Sequence, residues 1–229
     1  MEHADHVALL RDGVRSPGSV AGADAGTPIW ADIGAGTGAF TLALADLLGP
    51  LATIVAVDRD AGALRTTAAA MARRFPEVVL ETVVGDLEGR LGLPRLDGLV
   101  AANSLHFVPR DRQVAAVANL AEHVVPGGRF IVVEYDADRG NPWVPHPFSF
   151  PTWERFAVEA GLAPPRLIGR VPSRFPRSDL RRDVEDTRMS VFSSRTKAAL
   201  TRACQPPTHG DGNACPDRPD RDGETPGAR

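Results

Sequence analysis

Short apolar runs alternate with amphipathic segments along residues 29–134. Each run is rich in β-branched or aliphatic residues and stops at a glycine or a polar residue, which is the pattern of a buried strand. Between the runs, apolar residues recur at helical spacing. One such stripe is Phe40, Leu44, Leu47, Leu48 and Leu51. The predicted strands are Ile29–Ile33, Thr53–Val57, Val78–Val84, Leu96–Ala102 and Arg129–Glu134, and the predicted helices are about 38–48, 61–74 and about 111–123.

This order of strands and helices predicts an α/β fold. Right-handed crossovers build a mostly parallel, doubly wound sheet with helices on both faces. Ligands of such sheets bind beyond the carboxyl ends of the strands, where the strand order reverses. The residues that follow each strand are therefore the candidates for function. Pro126-Gly127-Gly128 is predicted to form a turn before the fifth strand.

The flanking segments have weaker patterns. Residues 3–12 predict a helix that folds over the glycine-rich segment at 34–38, and 11–27 predict a mobile connector. Residues 204–229 contain no Val, Ile, Leu, Met, Phe, Trp or Tyr, so they predict a disordered tail. The expected organisation is an N-terminal helix and connector at 1–28, an α/β domain at 29–200 and the tail at 204–229. The last predicted elements are a helix at Trp153–Ala160 capped by Ser149, a strand at Arg166–Val171 and a strand at Met189–Phe192.

The segment Asp32-Ile-Gly-Ala-Gly-Thr-Gly38 joins the first strand to the first helix. Glycines permit a tight turn and a close backbone approach to a ligand, and the helix that follows offers unpaired N–H groups. Two interpretations remain open. Gly34, Gly36 and Ala39 satisfy the loose dinucleotide fingerprint, whereas Asp32 with Gly34, Gly36 and Gly38 fits an S-adenosylmethionine (SAM) site.

Acidic residues end the second and third predicted strands. Asp58 lies about twenty residues beyond the glycines, where a carboxylate accepts hydrogen bonds from ribose hydroxyls. Its alternative role is a helix cap, a role open to Asp58 or Asp60. Asp86 can accept from an adenine amino group while the amide of Leu87 bonds a ring nitrogen, and its alternative role is a turn.

The fourth and fifth strands end in Asn103 and Glu134. His106 is the first candidate for a general base, Glu134 the second, and His146 a further one. The alternative for His106 is a histidine that caps or packs. The loop of about 135–150 is rich in proline and aromatic residues, which predicts a lid or pocket wall. Trp143, His146 and Phe148 are its candidate substrate contacts, with a packed surface loop as the alternative.

Composition narrows the function class. The chain has 229 residues, 43% hydrophobic and 24% charged, with a net charge of −3, so nucleic acid and anionic membranes are not expected partners. The cysteines, Cys204 and Cys215, both lie in the predicted tail, and no apolar leader or membrane-spanning run is present, which predicts a cytoplasmic protein. His3 and His6 have the spacing of a metal pair but lack further ligands, so no metal is predicted.

Taken in order, these motifs resemble those of class I SAM-dependent methyltransferases, most closely the small-molecule enzymes similar to ubiquinone and menaquinone methyltransferases. The resemblance implies a Rossmann-like, seven-stranded sheet, SAM as cofactor and a small organic methyl acceptor. The Pro-Pro motif of many base-methylating enzymes is replaced by Ser104-Leu105. The implied cofactor residues are Asp32, Gly34, Ala35, Gly36, Gly38, Asp58, Arg59, Asp86, Leu87 and Asn103.

Two other functions remain open on the sequence. The loose glycine fingerprint allows an NAD(P)-dependent oxidoreductase, although the single tyrosine and single lysine, Tyr135 and Lys197, cannot form a Tyr-x-x-x-Lys pair. A non-catalytic SAM-binding module is the third possibility.

Overall fold

The computed structural model of the chain describes residues 1–14, 26–172 and 188–197. The predicted tail at 204–229 and most of the predicted connector lie outside these residues. The helices are α1 (His3–Val14), α2 (Ala39–Leu48), α3 (Ala61–Arg74), α4 (Gln113–Ala121) and α5 (Phe150–Glu159), with a 3₁₀ helix at Leu105–Phe107. The strands are β1 (Ile29–Ile33), β2 (Thr53–Asp58), β3 (Val79–Val84), β4 (Leu96–Ala102), β5 (Val124–Tyr135), β6 (Arg166–Pro172) and β7 (Arg188–Arg195).

The strands form one seven-stranded sheet in the order β3-β2-β1-β4-β5-β7-β6. Strands β1 to β5 are parallel, and β7 runs antiparallel to both β5 and β6. The predicted Rossmann-like, mostly parallel sheet is therefore confirmed. The strand order reverses between β1 and β4, so the segments that follow these two strands flank the expected ligand crevice.

Both faces of the sheet are buried at β1, β2, β4 and β5, which explains why these strands are mostly apolar. Alternate residues of each strand point to opposite faces. Ile131 and Val133 of β5 join the core beneath α1 and α2, whereas Phe130 and Val132 join the core beneath α4 and α5. The two cores hold the strands in register and so align their carboxyl ends.

Strand β5 begins earlier than predicted and contains the Pro126–Gly128 segment. The pairing with β4 shifts from Leu96 opposite Val124 to Gly98 opposite Arg129, so this segment forms an irregular bulge. Gly127 adopts φ 80°, which favours glycine, and its N–H donates to the carbonyl of Thr196 at 3.1 Å. The prediction of an independent turn was wrong, because Thr196, which follows β7, supplies a hydrogen-bond partner for this segment and keeps it in the strand.

Helix α1 continues to Val14, past the predicted start of the connector at Arg11. Gly13 and Val14 are buried, and a Cβ on Gly13 would lie 2.5 Å from the side chain of Ile131. His6 packs edge-on against Phe40, near the start of α2, with ring centroids 4.9 Å apart. The predicted stripe of α2 ends early, because Leu51 follows the helix terminus and is 72% exposed.

The loop between β5 and α5 contains side chains with opposite environments. Phe148 is 1% exposed and stacks on Trp153 with centroids 5.6 Å apart. Phe192 of β7 also packs against Trp153, at 6.2 Å. The prediction that Phe148 contacts substrate does not fit this position, because its ring belongs to the core beneath α5. Trp143, in the same loop, is 73% exposed.

These two environments predict different effects of truncation. Phe148→Ala should lower the free energy of unfolding by about 3–5 kcal/mol, because it removes a buried ring and leaves a cavity. Trp143→Ala, in the same loop, should change it by no more than about 0.5 kcal/mol. Urea unfolding followed by far-ultraviolet circular dichroism measures both, and equal losses in the two variants would contradict the placement of Phe148 in the core.

Candidate functional site

The glycine turn after β1 is attached to the end of β2. The N–H groups of Gly34 and Ala35 both donate to the carbonyl of Val57, at 2.8 and 2.9 Å. Gly34, Gly36 and Gly38 have φ values of 76°, 54° and 90°, in the left-handed region that side chains with a Cβ rarely adopt. The turn conformation therefore requires glycine at each of these positions.

The three glycines face different surroundings. A Cβ on Gly34 would lie 2.5 Å from the Cβ of Ser104, and one on Gly38 would lie 2.8 Å from Thr67. A Cβ on Gly36 would meet no atom within 4 Å. Gly34 and Gly38 thus allow close packing within the fold, whereas Gly36 leaves a backbone surface that a ligand can approach.

Asp58 lies directly against this turn. Its carboxylate accepts hydrogen bonds from the N–H of Gly36 and the N–H of Asp60, both at 2.8 Å. Asp60 caps helix α3 through the N–H groups of Gly62 and Ala63, at 2.7 and 3.2 Å. The capping role considered for either aspartate therefore belongs to Asp60, and Asp58 remains at the edge of the glycine turn. Arg59, between them, is exposed.

Asp86 and Leu87 follow β3, two strands away from β1. The carboxylate of Asp86 accepts from the N–H of Glu88 at 2.9 Å, so the turn that the sequence offered as its alternative role is present. Asp86 is exposed, and Leu87 is partly buried against the core beneath α4. Gly85 donates to the carbonyl of Asp58 at 3.0 Å, which brings the ends of β2 and β3 together.

Asp32 occupies a different environment from the other candidate acids. It is 1% exposed and accepts a hydrogen bond from the hydroxyl of Thr41 at 2.6 Å. Burial raises the pKa of Asp32 to about 6, with a further rise from the charge of Asp58 and an opposing effect of Thr41. The side chain lies between β1 and α2 and connects the two elements beneath the turn.

The end of β4 holds two buried acceptors without partners. Asn103 has φ 51°, and its N–H donates to the carbonyl of Val133 at 2.8 Å. Its Oδ1 atom and the Oγ atom of Ser104 are buried and make no hydrogen bond. Because buried polar atoms are normally paired, these two atoms at the strand-order reversal are suited to a ligand that carries donor groups.

His106 forms a pair with Glu134, from the neighbouring strand β5. The Nδ1 atom of His106 lies 2.8 and 3.0 Å from the two carboxylate oxygens of Glu134. Glu134 also accepts from the backbone N–H of Tyr135 at 2.8 Å and of His106 at 3.3 Å. The two side chains are 3% and 0% exposed.

These partners favour one tautomer of the His106 ring. Because an ionised carboxylate only accepts hydrogen bonds, a neutral imidazole at this position is assigned its proton on Nδ1 and its lone pair on Nε2. Among residues 1–14, 26–172 and 188–197, no group donates a hydrogen bond to Nε2. Glu134 is therefore a buried partner of the imidazole and does not lie at the protein surface.

Hydrogen bonds hold the loop after β5 next to the 3₁₀ helix. The amide of Gln113 donates to the carbonyls of Leu105 and His146, at 3.1 and 2.7 Å. The N–H of His146 donates to the carbonyl of His106 at 3.0 Å. The structure thus brings the His146 backbone to the His106–Glu134 pair, while Trp143 lies at the exposed tip of the loop.

Ser104 packs against Gly34. Sequence reasoning missed two other side chains of this site: Thr41 donates to Asp32, and Thr67 donates to the carbonyl of Gly36 at 2.9 Å. The one available signal was Thr67, a polar residue in the buried stripe of α3. His3 lies 3.0 Å from Asp46 instead of beside further ligands, and the described part of the chain contains no cluster of three or more metal-ligating side chains.

Comparison of the sequence with known protein families and curated proteins gives one match to a family model. Residues 31–128 match the family model of a methyltransferase domain. This match and the fold are consistent with a class I SAM-dependent methyltransferase. No curated protein matches the sequence.

Several solved structures share the fold. The YcgJ protein of Bacillus subtilis has a TM-score of 0.64 at 16% identity, over 85% of this chain and 99% of that one. An arsenic(III) SAM methyltransferase from Chlamydomonas reinhardtii has a TM-score of 0.61 at 18% identity, over 86% of this chain and 74% of that one. The N-methyltransferase NodS from Bradyrhizobium japonicum, solved with S-adenosylhomocysteine (SAH), has a TM-score of 0.59 at 17% identity, over 85% and 87%.

The methyltransferase domain uses SAM as its cofactor, and the oxidoreductase and non-catalytic alternatives are not favoured. The site fits that cofactor in two respects. The approach to Gly36 is open, and Asn103 and Ser104 present unpaired acceptors beside the turn. Within the described ranges, no helix has the length and apolarity needed to span a bilayer.

The environment of Asp32 predicts a pH-dependent stability of the methyltransferase. Because the pKa of Asp32 is raised from its ordinary 3.8 to about 6, the unfolded chain ionises first as pH rises. The folded state therefore loses stability across about pH 4–6, by up to roughly 3 kcal/mol. Asp32→Asn keeps an acceptor for Thr41 and removes this loss.

The measurement is the free energy of unfolding at pH 4, 5, 6 and 7 for wild type and Asp32→Asn. The free energy of unfolding of Asp32→Asn minus that of wild type should grow from its value at pH 4 to a plateau above pH 6, as the loss in wild type develops. Asp111→Asn, at an exposed position, controls for the removal of a negative charge. An advantage of Asp32→Asn that is the same at all four pH values would contradict a buried, raised-pKa carboxyl.

Proposed function

We propose that this methyltransferase methylates a hydroxyl oxygen of a small organic acceptor, with His106 as the general base. The observation that carries the proposal is the His106–Glu134 pair at the end of β4, with Nδ1 bonded to the carboxylate at 2.8 Å. A neutral imidazole with a free Nε2 lone pair can take a hydroxyl proton near neutral pH. The activity is that of a SAM-dependent methyltransferase of class EC 2.1.1.

The cofactor residues proposed here surround the glycine turn. Asp58 accepts from the ribose hydroxyls, while Gly36 allows the backbone to approach the cofactor. Asn103, with Ser104 beside it, accepts from the ammonium group at the methionine end. When bound, SAM supplies a methyl group on a positively charged sulfur that is already activated for transfer. The remaining proposed cofactor residues are Asp32 beneath the turn, Gly34, Ala35, Gly38, Arg59, Asp86 and Leu87.

The protein's own contribution is then to orient the acceptor, exclude water and remove one proton. Glu134 holds the His106 ring through Nδ1 and stabilises the imidazolium that forms when Nε2 takes the proton. The loop of about 135–150 is proposed as the wall of the acceptor pocket, with Trp143 and His146 as contacts. Phe148 is not part of this proposal because it lies in the core.

The proposed setting follows from the same features. The methyltransferase domain corresponds to residues 29–200, preceded by the helix and connector at 1–28 and followed by the tail at 204–229. The acceptor is a small molecule, since a net charge of −3 offers no general attraction to nucleic acid or to an anionic membrane. The compartment proposed is the cytoplasm, in line with the position of both cysteines outside the predicted core.

Cofactor binding is predicted to depend on the turn and on Asp58. Asp58→Ala should weaken SAH binding at least tenfold, because the ribose loses its acceptor. Gly36→Ala should also weaken binding, because a Cβ enters the open approach, although the left-handed φ costs only about 1–2 kcal/mol of stability. Asp60→Ala removes a helix cap of about 1 kcal/mol but should leave the SAH affinity within about twofold.

Isothermal titration calorimetry with SAH measures these affinities, and thermal unfolding confirms that each variant is folded. NADH is titrated in parallel. An Asp58→Ala variant that binds SAH as tightly as the Asp60→Ala variant would remove Asp58 from the cofactor site. Binding of NADH in place of SAH would reverse the assignment of the whole site.

Proton removal is predicted to depend on both members of the buried pair. His106→Gln should lower kcat by about 10²–10⁴-fold, because Nε2 is lost as a proton acceptor. Glu134→Gln should lower kcat by a smaller factor and displace the acidic limb of the pH–rate profile, because the imidazolium loses its stabilising charge. KM for SAM should stay within a few-fold in both variants.

Steady-state rates of SAH release from pH 5 to 9 test this prediction once an acceptor turns over. Glu134→Asp is the conservative control, since it retains the charge at a shorter reach. A Glu134→Gln profile that coincides with wild type at every pH would show that the carboxylate has only a structural role.

A further inference from the structure

Phe107 is exposed at a position where its neighbours are buried. It ends the 3₁₀ helix that follows β4, and 55% of its surface is accessible, whereas His106 and Val108 are each 3% exposed. Within the described residues, the large aromatic side chains that are exposed are Phe107 and Trp143. Both follow strands at the carboxyl-end edge of the sheet, the side where ligands bind in such folds.

The backbone around Phe107 is held in place. Its N–H donates to the carbonyl of Ser104 at 3.2 Å, and Val108 donates to Leu105 at 3.1 Å. The amide of Gln113 bonds the carbonyl of Leu105 at 3.1 Å. An exposed ring on a fixed backbone loses little conformational freedom when a ligand covers it, which favours binding.

The ring of Phe107 packs against the ring of His106. Their centroids are 4.3 Å apart with an interplanar angle of 51°, so the histidine covers part of the phenylalanine and the remainder faces solvent. A flat ligand that lies on the exposed part is therefore adjacent to the imidazole. Aromatic rings prefer offset or tilted contacts with other rings at centroid distances of about 4.5–7 Å.

We propose that Phe107 is a specificity-determining residue that selects planar aromatic acceptors carrying a ring hydroxyl. The ring of the acceptor stacks on Phe107, and its hydroxyl lies toward Nε2 of His106. The acceptor class is then phenols instead of saturated alcohols. This inference rests on the proposed function, because it assumes that His106 receives the acceptor's proton.

The test compares each phenol with its saturated counterpart on the SAH complex. Calorimetry measures the binding of phenol against cyclohexanol and of 2-naphthol against decahydro-2-naphthol. Wild type should bind the aromatic member of at least one pair roughly tenfold more tightly. Phe107→Leu keeps an apolar side chain but has no ring, so the ratio of aromatic to saturated affinity should fall close to one. Phe107→Tyr keeps a ring and should retain the preference for the aromatic ligand.

Val158→Ala serves as the control, because Val158 is an exposed apolar residue of α5 at 49% accessibility and should leave the ratio unchanged. All variants must first bind SAH with wild-type affinity. This control separates a failure of the proposed function from a failure of the role proposed for Phe107. Loss of SAH binding in wild type would overturn the proposed function itself. Normal SAH binding with no aromatic preference, or with a preference that survives in Phe107→Leu, would overturn the role of Phe107 alone.

Discussion

The hydrogen bonds between the glycine turn and the end of β2 are the constraint on which the rest of the site depends. Two consecutive N–H groups, from Gly34 and Ala35, share the carbonyl of Val57, and the next one, from Gly36, donates to Asp58. The turn is therefore attached to the adjacent strand end through its own backbone. The same contacts orient the start of α2 and place Asp58 at the turn, so the proposed cofactor site is built from main-chain geometry.

Two buried carboxyl groups, those of Asp32 and Glu134, connect elements of the site. Asp32 and Glu134 are almost inaccessible, and each connects two elements: Asp32 joins β1 to α2 through Thr41, and Glu134 joins β5 to the 3₁₀ helix through His106. Burial of a carboxylate opposes folding unless hydrogen bonds compensate for lost hydration. The two acids differ in compensation, since Glu134 accepts from two backbone N–H groups and an imidazole, whereas Asp32 keeps a raised pKa.

The proposed acceptor side of the site depends on contacts between distant parts of the chain. The loop after β5 is held by Gln113 of α4, by Asp136 bonded to the N–H of Phe150 at 2.8 Å, and by Asp138 bonded to Ser149 at 2.7 Å. These bonds fix which aromatic rings face solvent. They bury Phe148 in the core and leave Trp143 at the loop tip, although the two residues looked alike as members of one Pro- and aromatic-rich segment.

The sequence by itself determined the strands, the glycine turn and the acids at the strand ends, because these depend on local periodicity and backbone conformation. Strands β1 and β4 and helix α3 match their predicted bounds for this reason. Tertiary structure alone decided that Asp60 caps α3 in place of Asp58, that Gly127 lies in a bulge, and that His106 meets Glu134. Each of these outcomes depends on a partner from a distant part of the chain, such as the N–H of Gly36 that bonds Asp58, and no linear spacing encodes such partners.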